Sequence, residues 1–232
     1  MANPAAPARF APQANPLNTA DMSTKKKILI QLDSDPHPSV FDRVVAVDAG
    51  AEELFAYGGV KPDDVEGLVH GAMFTRGPAD LKHTAIFIGG SDVAKGEAIL
   101  KKVTKTFFGP LTCSVMLDAN GANTTAAAAV LRAAKHVELS KVTALVLGGT
   151  GPVGQRVARL LARQGATVRL GSRSVDKAGP IAAHINQTVE SQNVAAVATG
   201  DDKDLLGALE GAALVIAAGA PGGKRLPAAV RR

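Results

Sequence analysis

An α/β fold built on parallel sheets is predicted by three features of this 232-residue sequence. Short apolar runs recur from residue 27 to residue 217, and segments with helical spacing separate them. The runs are apolar throughout rather than alternating, as expected of strands buried on both faces of a parallel sheet. Glycines or turn residues close most of them, and a glycine-rich turn follows the one at 142–147. Hydrophobic residues make up 46% and charged residues 20%, which is ordinary for a globular protein. The length suffices for one large unit or two smaller ones, each with its own core.

Taken in order, residues 1–21 are rich in Ala, Pro and Asn, lack periodicity and read as a disordered extension. Met22, ahead of Ser23-Thr24 and a lysine run, is a second candidate start. Residues 27–32 form the first expected strand, followed by Asp33-Ser34-Asp35-Pro36. Ser39 is placed to cap a helix reaching Val47, and Pro62 opens another, where its missing N–H costs nothing. A strand is expected over 84–88 before Gly89-Gly90. Ser91 then caps a helix carrying Val93, Ile99, Leu100 and Val103 on its apolar side. Another strand covers 111–117 and an alanine-rich helix 122–137. In the second half, strands fall at 142–147, 167–170, 194–198 and 213–217. Helices fall at 152–163, 175–188 and 202–209.

The formal charge of +5 raises the question of nucleic acid. Seven of the 26 basic residues lie in the terminal stretches (Lys25, Lys26, Lys27, Lys224, Arg225, Arg231 and Arg232), leaving 19 against 21 acidic ones. The body is near neutral, with no basic stripe and few aromatics, so nucleic acid is not an expected partner. Nor is a membrane, since no apolar run approaches the roughly 18 residues of a span. Cys113 is the sole cysteine and sits in an apolar stretch, as a buried inert thiol would. The five histidines (His37, His70, His83, His136 and His184) show no ligand spacing, and no metal site is expected.

The strongest functional signal is Gly149-Thr150-Gly151-Pro152-Val153-Gly154. Such a pattern alone is weak in a chain with 24 glycines. Here an apolar strand precedes it, and a helix with Val153, Val157, Leu160 and Leu161 on one face follows. In that setting Gly149 permits the turn out of the strand, Gly151 lets the backbone approach a pyrophosphate, and Gly154 allows close helix packing. The free N–H groups of the first helical turn supply the anion site. The next strand ends Gly171-Ser172-Arg173, where an NAD enzyme places a carboxylate for the ribose hydroxyl. A guanidinium at that point matches a 2′-phosphate, with Ser172 and Lys177 adding a hydroxyl and a second cation. NADP is therefore the expected cofactor, with NAD a second candidate.

Several ordered blocks extend the reading: Gln31-Leu32-Asp33-Ser34-Asp35, Pro38-Ser39-Val40-Phe41-Asp42, Phe107-Phe108-Gly109-Pro110 and Gly148-Gly149-Thr150-Gly151-Pro152-Val153-Gly154. The longest is Met116-Leu117-Asp118-Ala119-Asn120-Gly121-Ala122-Asn123-Thr124-Thr125-Ala126. Over residues 25–219 the chain resembles the NAD(P)-dependent methylene-tetrahydromethanopterin dehydrogenases of methylotrophic bacteria. The resemblance implies an α/β pterin-binding domain at 25–122, after an extension at 1–24, and a Rossmann-like NADP-binding domain at 123–232. It also implies oxidation of the methylene pterin, or its folate analogue, to the methenyl form in cytoplasmic one-carbon metabolism by a homo-oligomer.

Removing hydride from an N–CH₂–N bridge leaves an amidinium cation and moves no proton, so alignment and charge stabilisation are the tasks. Asp118, at the carboxyl end of a strand, is the candidate for that charge, with Asn120 and Asn123 as polar contacts. The competing reading makes Asp118 a cap of the following helix. Asp33 and Asp35 are further substrate candidates by the same position, and Lys82 is a candidate partner for acidic groups of the substrate. Residues 221–232 depart from the family pattern and read as a shortened end. A catalytically impaired NADP-binding paralogue or fragment therefore stays open. So does another two-domain NADP reductase of shikimate-dehydrogenase type, against which the 118–125 segment argues.

Overall fold

The structure, a computed structural model, describes residues 25–219; the expected extension at 1–24 and the divergent stretch at 220–232 lie outside the described residues. Strands β1 (Ile28–Asp33), β2 (Glu53–Tyr57), β3 (Thr84–Gly89) and β4 (Ser114–Leu117) form one parallel sheet in the order β2-β1-β3-β4. Strands β5 (Thr143–Leu147), β6 (Thr167–Ser172), β7 (Val194–Ala198) and β8 (Leu214–Ala217) form a second, in the order β7-β6-β5-β8. All pairings within both sheets are parallel. The second order is the 3-2-1-4 start of a doubly wound nucleotide fold, whose switch point lies between its first and fourth strands.

The helices are α1 (Val40–Asp48), α2 (Val65–Phe74), α3 (Val93–Thr106), α4 (Ala122–Ala133), α5 (Pro152–Arg163), α6 (Val175–Val189) and α7 (Asp202–Leu209). Right-handed crossovers put α2 and α3 on one face of the first sheet and α1 on the other. Val65, Val69, Met73, Ile99 and Val103 from α2 and α3 accordingly pack on Ile30, Leu32, Ile86 and Ile88. Helix α1 buries none of its residues. In the second sheet α5 and α6 cover one face and α7 the other, so Leu145 looks towards Leu205 and Ala208 while Ala144 and Val146 look towards Val157 and Leu161. Helix α4 leaves β4 and adds Ala126 and Val130 to this second core.

Five local readings change: the strand expected over 111–117 begins at Ser114, the helix expected to reach 137 ends at Ala133, and three further segments differ in kind. The segment Glu53–Tyr57 pairs with β1 but sits at the sheet edge with a half-exposed pattern, so it lacks the apolar signature of the buried strands. Asp92, not Ser91, caps α3: its carboxylate accepts from the Lys95 N–H at 3.1 Å, while Ser91 turns to Asp35. Pro62 opens a short 3₁₀ turn, Pro62–Asp64, and the α-helix itself starts at Val65.

Leu161 is fully buried, whereas Leu131 on α4 is 67% exposed. Leu161→Ala is expected to cost about 2–5 kcal/mol in urea unfolding. Leu131→Ala should change stability by less than about 0.5 kcal/mol. Equal losses would contradict this placement of the second core.

Candidate active-site cleft

The glycine turn lies between the end of β5 and the start of α5. Its positive φ falls at Gly148, at 68°, and not at Gly149. Gly149 is required for another reason: a Cβ there would lie 2.6 Å from Leu170 Cδ1. At Gly154 a Cβ would come 2.4 Å from the Gly148 carbonyl oxygen, so this glycine seats the helix on its own loop. At Gly151 a Cβ would meet only the Gly148 oxygen, at 3.4 Å. No other atom of the described residues comes within 4 Å of that point, which leaves the room that approach of a pyrophosphate requires. Pro152 is the first residue of α5 and has no N–H, while Gln155 Nε2 fixes the Thr150 carbonyl at 2.8 Å. Val153 packs against the second core.

At the end of β6 the Ser172 side chain is buried, and its Oγ accepts from the Ser174 N–H at 3.3 Å. Arg173 and Lys177 are exposed, and neither side chain engages an acceptor among the described residues. Two free cations thus stand beside a strand end without a carboxylate, and the residues present fit a dinucleotide carrying an extra phosphate.

The carboxyl ends of β1, β3 and β4 form the opposite wall, and most of its acids are already engaged. Asp33 is almost fully buried. Its carboxylate accepts from the N–H groups of Asp35 and Ser39 and from Gln31 Nε2, at 2.8, 3.3 and 3.3 Å. Asp35 accepts from the Ser91 N–H and hydroxyl, at 2.9 and 3.0 Å, tying two loops together. Asp118 accepts from the N–H groups of Asn123 and Thr124, at 2.9 and 3.0 Å, and from the Thr124 hydroxyl at 2.6 Å. This is the capping arrangement for α4. Asn120 adopts a left-handed φ of 54° and donates its N–H to the Gly90 carbonyl at 2.7 Å.

Asn123 leads to a residue that no sequence pattern singles out. Its Nδ2 donates to the Leu117 carbonyl and its Oδ1 accepts from Arg156 Nε. The Arg156 side chain is only 8% exposed; it also donates to Glu97 at 2.8 Å and to the Pro152 carbonyl at 3.1 Å. Arg156 follows the glycine loop on α5, Glu97 lies near the start of α3, and Asn123 is in the first turn of α4. One guanidinium thus joins the carboxyl edges of both sheets. Lys82 is elsewhere: it lies in the turn Pro78–His83 that precedes β3, at the amino edge. A six-residue strand, roughly 20 Å at 3.3 Å per residue, separates it from this wall.

Asp42, on α1, is the acid that the sequence reading passed over. Its Oδ2 would lie 3.3 Å from a Cβ on Gly89, and Asp33 Oδ2 would lie 3.0 Å from the same point. Partial burial raises its pKa above the ordinary value; Ser39 opposes this, and the charges of Asp33 and Asp118 add to it.

Two parallel sheets, a glycine loop at the switch point and a facing polar wall define an α/β dehydrogenase of dinucleotide-binding type. Residues 40–120 match the family model described as methylene-tetrahydromethanopterin dehydrogenase, N-terminal. The chain is 48% identical over 206 residues to the bifunctional protein MdtA of Methylorubrum extorquens, covering 88% of this chain and 71% of that one. It is 34% identical over 164 residues to the NAD(P)-dependent methylenetetrahydromethanopterin dehydrogenase of the same organism, covering 68% of this chain and 55% of that one. The chain belongs to the family of NAD(P)-dependent methylene-tetrahydromethanopterin dehydrogenases. Among solved structures, quinate dehydrogenase from Corynebacterium glutamicum in complex with NAD has the same fold, with a TM-score of 0.53 at 14% identity over 84% of this chain and 71% of that one.

Two expected outcomes follow from this geometry. Gly151→Val should abolish NADPH binding, read as loss of fluorescence enhancement, with a melt close to the parent's; Gly154→Val should lower the melt itself. Binding by the Gly151 variant would show that the loop is not the phosphate site. Arg156→Ala, which leaves the Asn123 oxygen and the Pro152 carbonyl without their buried donor, should cost about 1–3 kcal/mol. Glu97→Gln should cost less than about 1 kcal/mol, because Glu97 is 52% exposed.

Proposed function

We propose that this protein oxidises a methylene-tetrahydromethanopterin, or its tetrahydrofolate analogue, to the methenyl pterin with NADP. The observation that carries this reading is the facing pair of walls: an open glycine loop with free Arg173 and Lys177 on one side, an acid-rich strand edge on the other. Residues 25–122 act as the pterin domain and 123–232 as the nucleotide domain. NADP, when bound, supplies the hydride acceptor.

The chain's own residues do the rest. Gly149, Thr150, Gly151, Pro152, Val153 and Gly154 shape the pyrophosphate cradle. Ser172, Arg173 and Lys177 hold the 2′-phosphate end. Asn120 and Asn123 shape the pterin end, with Asp33 and Asp35 fixing the loops that border it. Asp118 caps α4 and keeps a negative charge at the same edge. No general base is needed, because the reaction leaves a cation and releases no proton in the hydride step.

The reading includes a homo-oligomer, which is supported by the apolar residues Val40, Phe41, Val44 and Val45 that α1 leaves exposed. It includes a cytoplasmic role in one-carbon metabolism. Among the described residues no helix is long and apolar enough to cross a membrane.

NADP is expected to bind more tightly than NAD in isothermal titration, and Arg173→Ala should narrow the gap by about 1.5–3 kcal/mol. Equal affinities in the unmutated protein would remove the phosphate assignment. NADPH formation at 340 nm, with the pterin and the folate carriers run side by side, tests the substrate; no turnover with either would defeat the reading.

A further inference from the structure

We propose that Asp42 is the carboxylate that faces the cation formed in the reaction, and so is a catalytic residue of this site. The inference rests on the methylene-pterin reading above and deepens it. Every other acid at the carboxyl edge of the first sheet has its oxygens engaged by donors. Asp33 is held by Asp35, Ser39 and Gln31; Asp35 by Ser91; Asp118 by the first turn of α4. Among the described residues the Asp42 carboxylate has no backbone donor and no ion-pair partner; it shares a side-chain hydrogen bond with Ser39, and its charged neighbours, Asp33 and Asp118, are themselves acids. The guanidinium beside it, Arg43, is turned to the Pro38 carbonyl at 3.2 Å.

A second observation points to a positively charged ligand. Gln31 is 1% exposed and points to the same side of β1 as Asp33, with its Nε2 bound to the Asp33 carboxylate. Its Oε1 is buried without a donor. The Oδ2 atoms of Asp33 and Asp42 therefore both lie beside Gly89, 3.0 and 3.3 Å from where a Cβ would stand, and the amide of Gln31 that binds Asp33 carries a further acceptor without a donor. A site of this composition disfavours anions and favours a cation.

The chemistry supplies the matching charge. As the methylene C–H bond breaks, its electron pair leaves with hydrogen for C4 of the nicotinamide ring, where the new C–H bond forms. The nicotinamide loses its positive charge and the N–CH–N bridge gains one, shared by both nitrogens. No proton or other reactant enters. A carboxylate beside the bridge binds the neutral methylene form weakly and the cationic methenyl form strongly, so its contribution grows along the reaction.

The test uses the full chain, without cofactor in the pterin titrations and with NADP for turnover. It compares unmutated protein with Asp42→Asn and Asp42→Glu, and reads dissociation constants for the methylene and methenyl pterins beside kcat and a thermal melt. Asp42→Asn is expected to weaken the methenyl cation about tenfold or more. It should leave the neutral form within about twofold and lower kcat on the order of 10²-fold. Asp42→Glu should restore part of the cation preference. Equal weakening of both forms, or no change in either, would overturn the assignment of Asp42. Unmutated protein that binds neither pterin would instead defeat the reading of the substrate, so the two failures are told apart.

Discussion

The structure depends on one buried guanidinium. Arg156 joins three helix starts, two of them rising from the carboxyl edge of the first sheet and one from the glycine loop of the second. A charge withdrawn from water this far is costly unless its donors are used, and here Nε, Nη1 and Nη2 each have an acceptor. The consequence is geometric. On the proposed reading, a hydride acceptor on the loop and a donor on the opposite wall would be held apart by a distance that Arg156, Asn123 and Glu97 set. Hydride transfer is sensitive to such distances on the scale of an ångström.

The rim of the first sheet shows the same economy. Asp33, Asp35 and Asp118 convert loose strand-to-helix loops into a fixed edge by accepting from backbone N–H groups that would otherwise lack partners. Their charges remain, and the edge is electronegative as a result. On the nucleotide side the arrangement is reversed: the first turn of α5 presents its N–H groups, and the cations after β6 have no acceptor among the described residues. One wall thus suits phosphate and the other a cation, which is the polarity that the proposed oxidation of a methylene pterin requires.

Much of this was legible in the sequence, and for identifiable reasons. The helices Pro152–Arg163 and Asp202–Leu209 and the strand Val194–Ala198 end where their capping and periodic residues indicate. The glycine loop was legible because strand, turn and helix signals coincide there. Strand β2 was not, because an edge strand with half-exposed side chains carries no apolar run. Arg156 was hidden for a different reason: an arginine in an amphipathic helix reads as a solvated face, and only the approach of α3 and α4 buries it. Asp42 was hidden because α1 is short and its acid resembles the charge of an ordinary first turn. Its importance appears only when the neighbouring carboxylates are seen to be engaged.

The central claim is that hydride passes directly from a pterin on the acidic edge to a nicotinamide seated by the glycine loop. Methylene-tetrahydromethanopterin carrying two deuterium atoms in its bridge tests this most directly, with mass and proton spectra of the NADPH produced. The account requires one deuterium at C4 of the nicotinamide ring, on a single face, with none lost to solvent. NADPH without deuterium, or label scrambled between both faces, would contradict direct transfer across this cleft.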